Sequence, residues 1–296
     1  MGAKTYVMAI INLTDDSFSG DGVGANLDAA VRKAVAAQEE GADIVDLGAE
    51  SARADVPVRD PDEEATIVGE AVRRIAAETD IVVSADTYKG LVAEAALQAG
   101  AHIINDIGGF MHDTGTAEAA ARYDAGLVIN YTFERPKIRP AEPPRYEDLI
   151  AEHLAFLRDR ISKAVACGMG AEAIVVDPGI AFGKSHDEDL EVLRRLGEFR
   201  QLGRPILVAA SRKHFMGTVL GLVPEERDAA TVAVTALAAA GGADIVRVHE
   251  VRANVQAARI ADAIVRGRAG QFAASPESWP WASEVAPIPG TTISGS

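Results

Sequence analysis

Eight short apolar runs punctuate this chain, and the C-terminal end of each collects residues that an apolar core cannot use. YVMAIINLT ends near Asn12, ADIVDLGAES at Glu50 and Ser51, and DIVVSADTYK carries Asp86. HIINDIGG carries Asn105 and Asp106, GLVINYT carries Asn130, and AIVVDPG ends at Asp177. ILVAASRK ends at Lys213, and ADIVRVHE holds Arg247 and His249. Amphipathic stretches separate these runs. Strand-helix alternation with right-handed crossovers builds a parallel sheet, and eight such units allow it to close. The predicted fold is therefore α/β, a (β/α)₈ TIM barrel with its polar strand ends lining one mouth, where such barrels do chemistry.

The intervening helices follow from apolar spacing. Leu27, Ala30, Val31, Ala34 and Val35 recur at helical spacing behind Asn26, a residue suited to an N-cap. Further helices are predicted over 63–77, 89–98, 116–124, about 146–168, 188–199, 229–240 and 254–266. Residues 13–24 and 51–61 are too rich in Gly, Asp and Pro for core and read as long βα loops. Residues 134–144 hold four prolines and read as a lid or spacer. From about Gly270 no periodicity remains. The domain reading is one barrel over 1–268 followed by a tail over 269–296.

Composition removes several classes of function. Hydrophobic residues make up 48% of the 296, enough for a large core, while aromatics are only 5%. A net charge of −15 argues against nucleic acid and anionic membranes as partners, since both need a basic face. Cys167 is the single cysteine, so intramolecular disulfides and multi-cysteine zinc sites are excluded. The first strand begins by about Tyr6, which leaves no room for a signal peptide. MGAKTY lacks the Ser or Thr that myristoylation requires. No apolar run is long enough to span a bilayer. The expected setting is cytoplasmic.

Two groups of strand-end residues suggest chemistry. Asp86 and Asp177 each directly follow an apolar run, and a carboxylate that accepts two parallel N–H bonds can read the guanidine-like edge of a 2-amino-4-oxo pyrimidine or pterin ring. One such aspartate is a helix cap or ion-pair partner in roughly half of cases. Two of them together with Asn105 and Lys213 make that account much weaker. The second group is cationic. Arg247 and His249 occupy alternate positions, hence one face of the last strand. With Arg53 from the second loop and Asn12 they could hold a diphosphate, with Mg²⁺ as a shared counter-ion. His249 alone would more often be a satisfied core histidine. GIAFGKS is one residue short of a phosphate-binding loop between Gly179 and Gly183 and is set aside. His102, His112, His153 and His186 lack ligand spacing and read as ordinary surface or core residues.

With these residues in hand, the chain resembles the dihydropteroate synthase family from about Thr5 to Ala263. MAIINLTDDSFSGDG, GAESARAD, VSADTYK, INDIGG, DPGIAFGK, ASRKHFMG and IVRVHEV match its motifs in order and spacing. The resemblance implies a transferase that joins 6-hydroxymethyl-7,8-dihydropterin diphosphate to p-aminobenzoate and releases diphosphate. It implies that Asp86, Asn105, Asp177 and Lys213 hold the pterin. It further implies that Asn12, Arg247 and His249 hold the diphosphate, with Asn12 also a ligand of Mg²⁺. By the same resemblance Asp16 stabilises the departing cation, Arg53 helps close the site, and Phe182, Ala52 and His214 meet the acceptor. A homodimer through the last helices is implied as well, and Val232, Ala233, Ala236, Ala239 and Ala240 make the helix over 229–240 small and apolar on several faces.

Departures from the family pattern fall mainly on the acceptor side: Ala52, Ala54 and Asp55 in the second loop, Ala181 before Phe182, His214 after Lys213, and Ile129–Asn130–Tyr131 at the fifth strand end. They predict weak, pH-dependent use of p-aminobenzoate and weak sulfonamide inhibition. Two alternatives stay open at this point. One is a paralogue using another or a poor amine acceptor. The other is a pterin-dependent methyltransferase serving a corrinoid protein, which would have no use for Arg247 and His249 as a diphosphate clamp.

Overall fold

The protein is described here by a computed structural model covering residues 4–14, 26–50, 56–111, 113–134 and 144–267. Among these residues eight strands form one parallel sheet: β1 (Tyr6–Asn12), β2 (Ile44–Gly48), β3 (Val82–Asp86), β4 (Ile103–Asp106), β5 (Gly126–Asn130), β6 (Ile174–Asp177), β7 (Leu207–Val208) and β8 (Ile245–Val248). The hydrogen-bonded order runs β6-β5-β4-β3-β2-β1-β8-β7. The ring closes between β6 and β7 through a single parallel bridge, Val176 to Ile206, and a bond from Val176 N–H to the Pro205 carbonyl at 2.9 Å. The predicted barrel is therefore present, with one thin seam.

Helices alternate with the strands: α1 (Leu27–Glu39), α2 (Pro61–Glu78), α3 (Gly90–Gln98), α4 (Gly115–Arg122), α5 (Leu149–Ala166), α6 (His186–Arg194), α7 (His214–Leu220), α8 (Asp228–Gly241) and α9 (Val251–Arg266). Asn26 caps α1, its side chain accepting from Ala29 N–H at 3.0 Å. Asp60 caps α2 with Pro61 at the first helical position, so that helix begins before the predicted residue 63. Two expectations need correction. The helix predicted over 188–199 is α6, which ends at Arg194, followed by a 3₁₀ turn over Leu196–Leu202, and the spacing of three between Leu193, Leu196 and Phe199 suits either form. The short helix α7 was not counted among the eight; it starts directly after Lys213 and stops at Gly221, whose φ of 71° suits only glycine readily.

Alternation along each strand divides the residues between two cores. One set faces the helices and includes Val7, Ile11, Val45, Leu47, Val83, Ile104 and Val176, all buried. The other fills the barrel interior: Met8, Ile44, Val128, Val175, Leu207 and Ile245. Full burial of each such side chain contributes about 1.5–3 kcal/mol. This apolar plug occupies the lower barrel only. Two residues further along, four of these inward faces turn polar, at Asp46, Asn130, Asp177 and Arg247, and there the site begins.

The bottom of the barrel is tied by carboxylates serving backbone. Asp43 accepts from Val7 N–H at 3.0 Å, and Asp244 accepts from Ile206 N–H at 3.1 Å. Asp262 of α9 accepts from both Thr5 N–H at 2.6 Å and the Thr5 hydroxyl at 2.8 Å, and Arg266 neutralises it at 2.8 Å. The last helix is thereby fastened to the start of the first strand. No helix among the described residues is long and apolar enough to cross a membrane.

Candidate active site

Strand register sets the floor of the mouth. Asn12 pairs with Gly48, Gly48 with Asp86, and Asp86 with Asn105, so these four stand at one level on β1 to β4. Asn130 and Asp177 pair in the same way on β5 and β6. Asn105 and Asp177 are buried. The sequence separates these residues by tens of positions, and the parallel register brings them together.

At the centre lies a charged network that the sequence reading only half identified. Arg247 donates through Nε to Asp46 at 2.6 Å and through Nη2 to Asp86 at 2.7 Å. Asp46 Oδ2 also accepts from Asn105 Nδ2 at 2.9 Å. Asp46, fully buried one layer below the mouth, was not singled out. A charged residue in the middle of an otherwise apolar parallel strand was the available signal, because such strands are covered on both faces. Its Oδ1 and the Ser84 hydroxyl, register neighbours on β2 and β3, are both buried with no partner among the described residues. Buried polar atoms of this kind lower stability, and a site that must stay polar inside accounts for them.

Electrostatics follow from burial. Burial raises the pKa of Asp86, with Arg247 opposing and Asp46 adding to the rise. Burial pushes Asp177 up to about 6, held back by the Gly179 N–H at 2.7 Å and by Lys213. Burial and then the Arg247 charge lower the pKa of Lys213, while Asp177 and Asp189 oppose. For Arg247 burial works against the charge, but Asp46 and Asp86 outweigh it and hold its pKa above the ordinary value. The mouth therefore offers two desolvated carboxylates and two desolvated cations, a set suited to a polar ring bearing both donors and acceptors.

The other predicted residues divide. Lys213 Nζ stands 5.3 Å from the centre of the Phe182 ring, joining the predicted pterin and acceptor sides. His249 contacts the Ser211 hydroxyl through Nδ1 at 2.9 Å, so its ring is oriented by the neighbouring strand end. Arg247 is held by Asp46 and Asp86, and these bonds leave further N–H donors on its guanidinium. His214 is exposed at the first position of α7. Asp16, Ala52, Arg53, Ala54, Asp55 and His112 lie outside the described residues. Of the remaining histidines, His102 accepts from Val83 N–H at 3.2 Å, and Nδ1 of His186 contacts the Thr218 hydroxyl at 2.6 Å. His153 is fully buried.

Comparison with known proteins decides the class. A family described as pterin binding enzyme matches residues 8–249. A dihydropteroate synthase of Clostridium beijerinckii is 39% identical over 267 residues, covering 90% of this chain and 96% of the relative. The chain belongs to the dihydropteroate synthase family. Among solved structures, the Yersinia pestis dihydropteroate synthase in complex with a sulfonamide drug superposes with a TM-score of 0.85 at 34% identity, covering 90% of this chain and 96% of that one. The Xanthomonas albilineans dihydropteroate synthase with 4-aminobenzoic acid gives 0.78 at 33%, covering 92% and 94%.

Membership makes the chain a pterin-binding transferase, and it gives the departures from the family pattern a structural setting. Ala181 takes a left-handed φ of 71° where the family usually has glycine. Tyr131, at the end of β5, is buried and stacks on His153 with ring centroids 3.5 Å apart. This departure at the fifth strand end thus also packs beneath the turn that follows β6.

Proposed function

We propose that this enzyme condenses 6-hydroxymethyl-7,8-dihydropterin diphosphate with p-aminobenzoate and releases diphosphate, a step of folate biosynthesis. The observation that carries the reading is the convergence of Asp86, Asn105, Asp177 and Lys213 at one barrel mouth in a chain of this family. Asp177 and Asp86 would accept the ring N–H groups, Asn105 would supply an amide to the same edge, and Lys213 would donate to a ring acceptor. Arg247, His249 and Asn12 would receive the diphosphate, whose charge grows as it leaves, and donors aimed at growing charge lower the barrier. Asp16 would face the cation left behind and Arg53 would help enclose it. Phe182, Ala52 and His214 would border the amine acceptor. An aniline nitrogen is already nucleophilic, so no strong base is needed.

Mg²⁺ fits this donor set as a counter-ion shared with substrate. Asn12 offers one hard oxygen at the mouth, and the described residues hold no cluster of three acidic or histidine side chains that could cage a metal. Mg²⁺ often sits between one or two protein oxygens and substrate phosphates, where it would neutralise leaving-group charge. The catalytic unit is assigned to 1–268, with 269–296 outside it, and the setting to the cytoplasm. A homodimer through α8 and α9 is supported by Leu237, Ile260 and Ile264, exposed by 72%, 64% and 77% on those adjacent helices.

The test incubates the enzyme with the dihydropterin diphosphate, Mg²⁺ and p-aminobenzoate and follows diphosphate release and dihydropteroate formation separately. Stoichiometric formation of both supports the reading. Diphosphate release without dihydropteroate would replace p-aminobenzoate by another acceptor, the outcome that Ala52, Ala54, Asp55 and His214 favour. Absence of both would remove the reading.

A further inference from the structure

We propose that Lys184 is a positioning residue for the acceptor side of the reaction: with His153 and Tyr131 it fixes the turn between β6 and α6 that carries Phe182. This rests on the acceptor assignment above. The turn is unusually bent, with Gly179, Ala181 and Gly183 at φ of 70°, 71° and 71°. A backbone that doubles back this way turns carbonyls away from regular partners, and they need donors from elsewhere. Lys184 provides them. Its ammonium donates to the Pro178 carbonyl at 3.3 Å and the Phe182 carbonyl at 3.1 Å, and meets His153 Nε2 at 3.2 Å. The same nitrogen lies 4.7 Å from the centre of the Tyr131 ring.

Two features separate positioning from catalysis. An ammonium has three N–H donors, and these three contacts use them all, so contact with a substrate would break one. No carboxylate forms an ion pair with Lys184 among the described residues, so the groups that touch its charge are carbonyl dipoles, an imidazole lone pair and a ring face, with Asp189, Asp177 and Glu188 acting from further off. That arrangement requires a neutral His153. Burial, and then the charge of Lys184 itself, push that histidine down to about 3, and the neutral tautomer with its proton on Nδ1 presents Nε2 to the ammonium as an acceptor. Tyr146 closes the frame, its hydroxyl donating to the Gly183 carbonyl at 2.6 Å and meeting the Tyr131 hydroxyl at 3.2 Å. The turn is gripped at three carbonyls, those of Pro178, Phe182 and Gly183. Phe182 is held between two of them.

Burial pushes Lys184 down to about 8, with Asp189, Asp177 and Glu188 opposing and Lys213 reinforcing. His153 stays neutral through this range, and burial raises the tyrosines Tyr131 and Tyr146 away from it. Deprotonation removes one donor and the charge, so the grip loosens as pH rises through about 8.

The experiment compares wild type, Lys184→Met and Lys184→Arg. In Lys184→Met, amide exchange over 179–183 is expected to rise roughly tenfold or more while β6 keeps its protection. The KM for p-aminobenzoate is expected to rise roughly tenfold or more, with the pterin Kd changed by less than about threefold. Lys184→Arg, which keeps charge and several donors, is expected to recover part of both. In wild type the KM should climb above about pH 8, and in Lys184→Met it should be flat there. Unchanged exchange over 179–183 in a folded Lys184→Met protein overturns the proposal, as does an unchanged KM in an enzyme that uses p-aminobenzoate. If wild type does not use p-aminobenzoate, the acceptor assignment falls and the exchange result alone judges Lys184. If Lys184→Met does not fold, Lys184→Arg carries the same two readings at smaller amplitude.

Discussion

Asp177 sets a cost in stability against the binding role proposed for it. Its pKa rises from 3.8 in an unfolded chain to about 6 in the fold because burial penalises the charged form. A raised carboxylate pKa costs stability above the folded value, and the cost vanishes below the unfolded one. At neutral pH this amounts to on the order of 3 kcal/mol. Asp177→Asn is therefore expected to raise the unfolding midpoint at pH 7, since the amide oxygen still accepts from Gly179 N–H, and to have little effect near pH 4. The same change should weaken pterin binding by on the order of 2–3 kcal/mol, because a charge-assisted two-point contact is lost. Wild-type pterin affinity should fall as pH drops below about 6, where the carboxylate takes up its proton, and calorimetry on the two proteins at pH 5 and 7.5 checks both signs. At this scale the sequence exposed residues whose position next to an apolar run is itself the signal: Asp86, Asn105, Asp177 and Lys213. It hid Asp46, Lys184 and His153, whose roles lie in contacts reaching as far as 201 positions along the chain, from Asp46 to Arg247.

At the scale of elements, the turn from β6 into α6 concentrates local rules in a few residues. Ser185 accepts from Glu188 N–H at 3.3 Å, and the Glu188 carboxylate accepts from Ser185 N–H at 2.7 Å, a reciprocal capping box that starts α6 where the turn must end. Ser185→Ala is expected to cost about 1 kcal/mol in a urea unfolding midpoint. Ala181 strains the same turn. A left-handed alanine costs about 1–2 kcal/mol, and Ala181→Gly should recover that less the roughly 0.4–1 kcal/mol of extra chain entropy a glycine brings to the unfolded state. A gain of between roughly 0 and 1.6 kcal/mol in the same assay is expected. Most helices were legible because apolar spacing and caps such as Asn26 act within one turn. The break after Arg194 was not, since Leu193, Leu196 and Phe199 stand three apart, a spacing that an α-helix and a 3₁₀ turn both satisfy. Nor was α7 counted, because seven residues between a strand end and a glycine give too little periodicity to register.

Across the whole molecule the two ends of the barrel divide the labour of carboxylates. At the bottom Asp43, Asp244 and Asp262 satisfy backbone N–H groups and join first elements to last; at the top Asp46 and Asp86 hold Arg247, and Asp177 accepts from Gly179 N–H beside the proposed pterin site. The outer face of α8 and α9 serves neither purpose. Leu237→Glu together with Ile264→Glu is expected to turn a dimer into a monomer in light scattering at micromolar concentration, and a wild-type monomer would exclude the assembly. The closure of the ring has its own consequence. Where β6 meets β7 the barrel is a hoop fastened by one bridge, and Asp177 and Lys213 stand on the opposite sides of that fastening. A ligand gripping both behaves as a removable clasp. Each tenfold rise of pterin above its Kd should add about 1.4 kcal/mol to the work of parting the hoop. Limited proteolysis between β6 and β7 should slow in step with pterin concentration, while cleavage elsewhere keeps its pace.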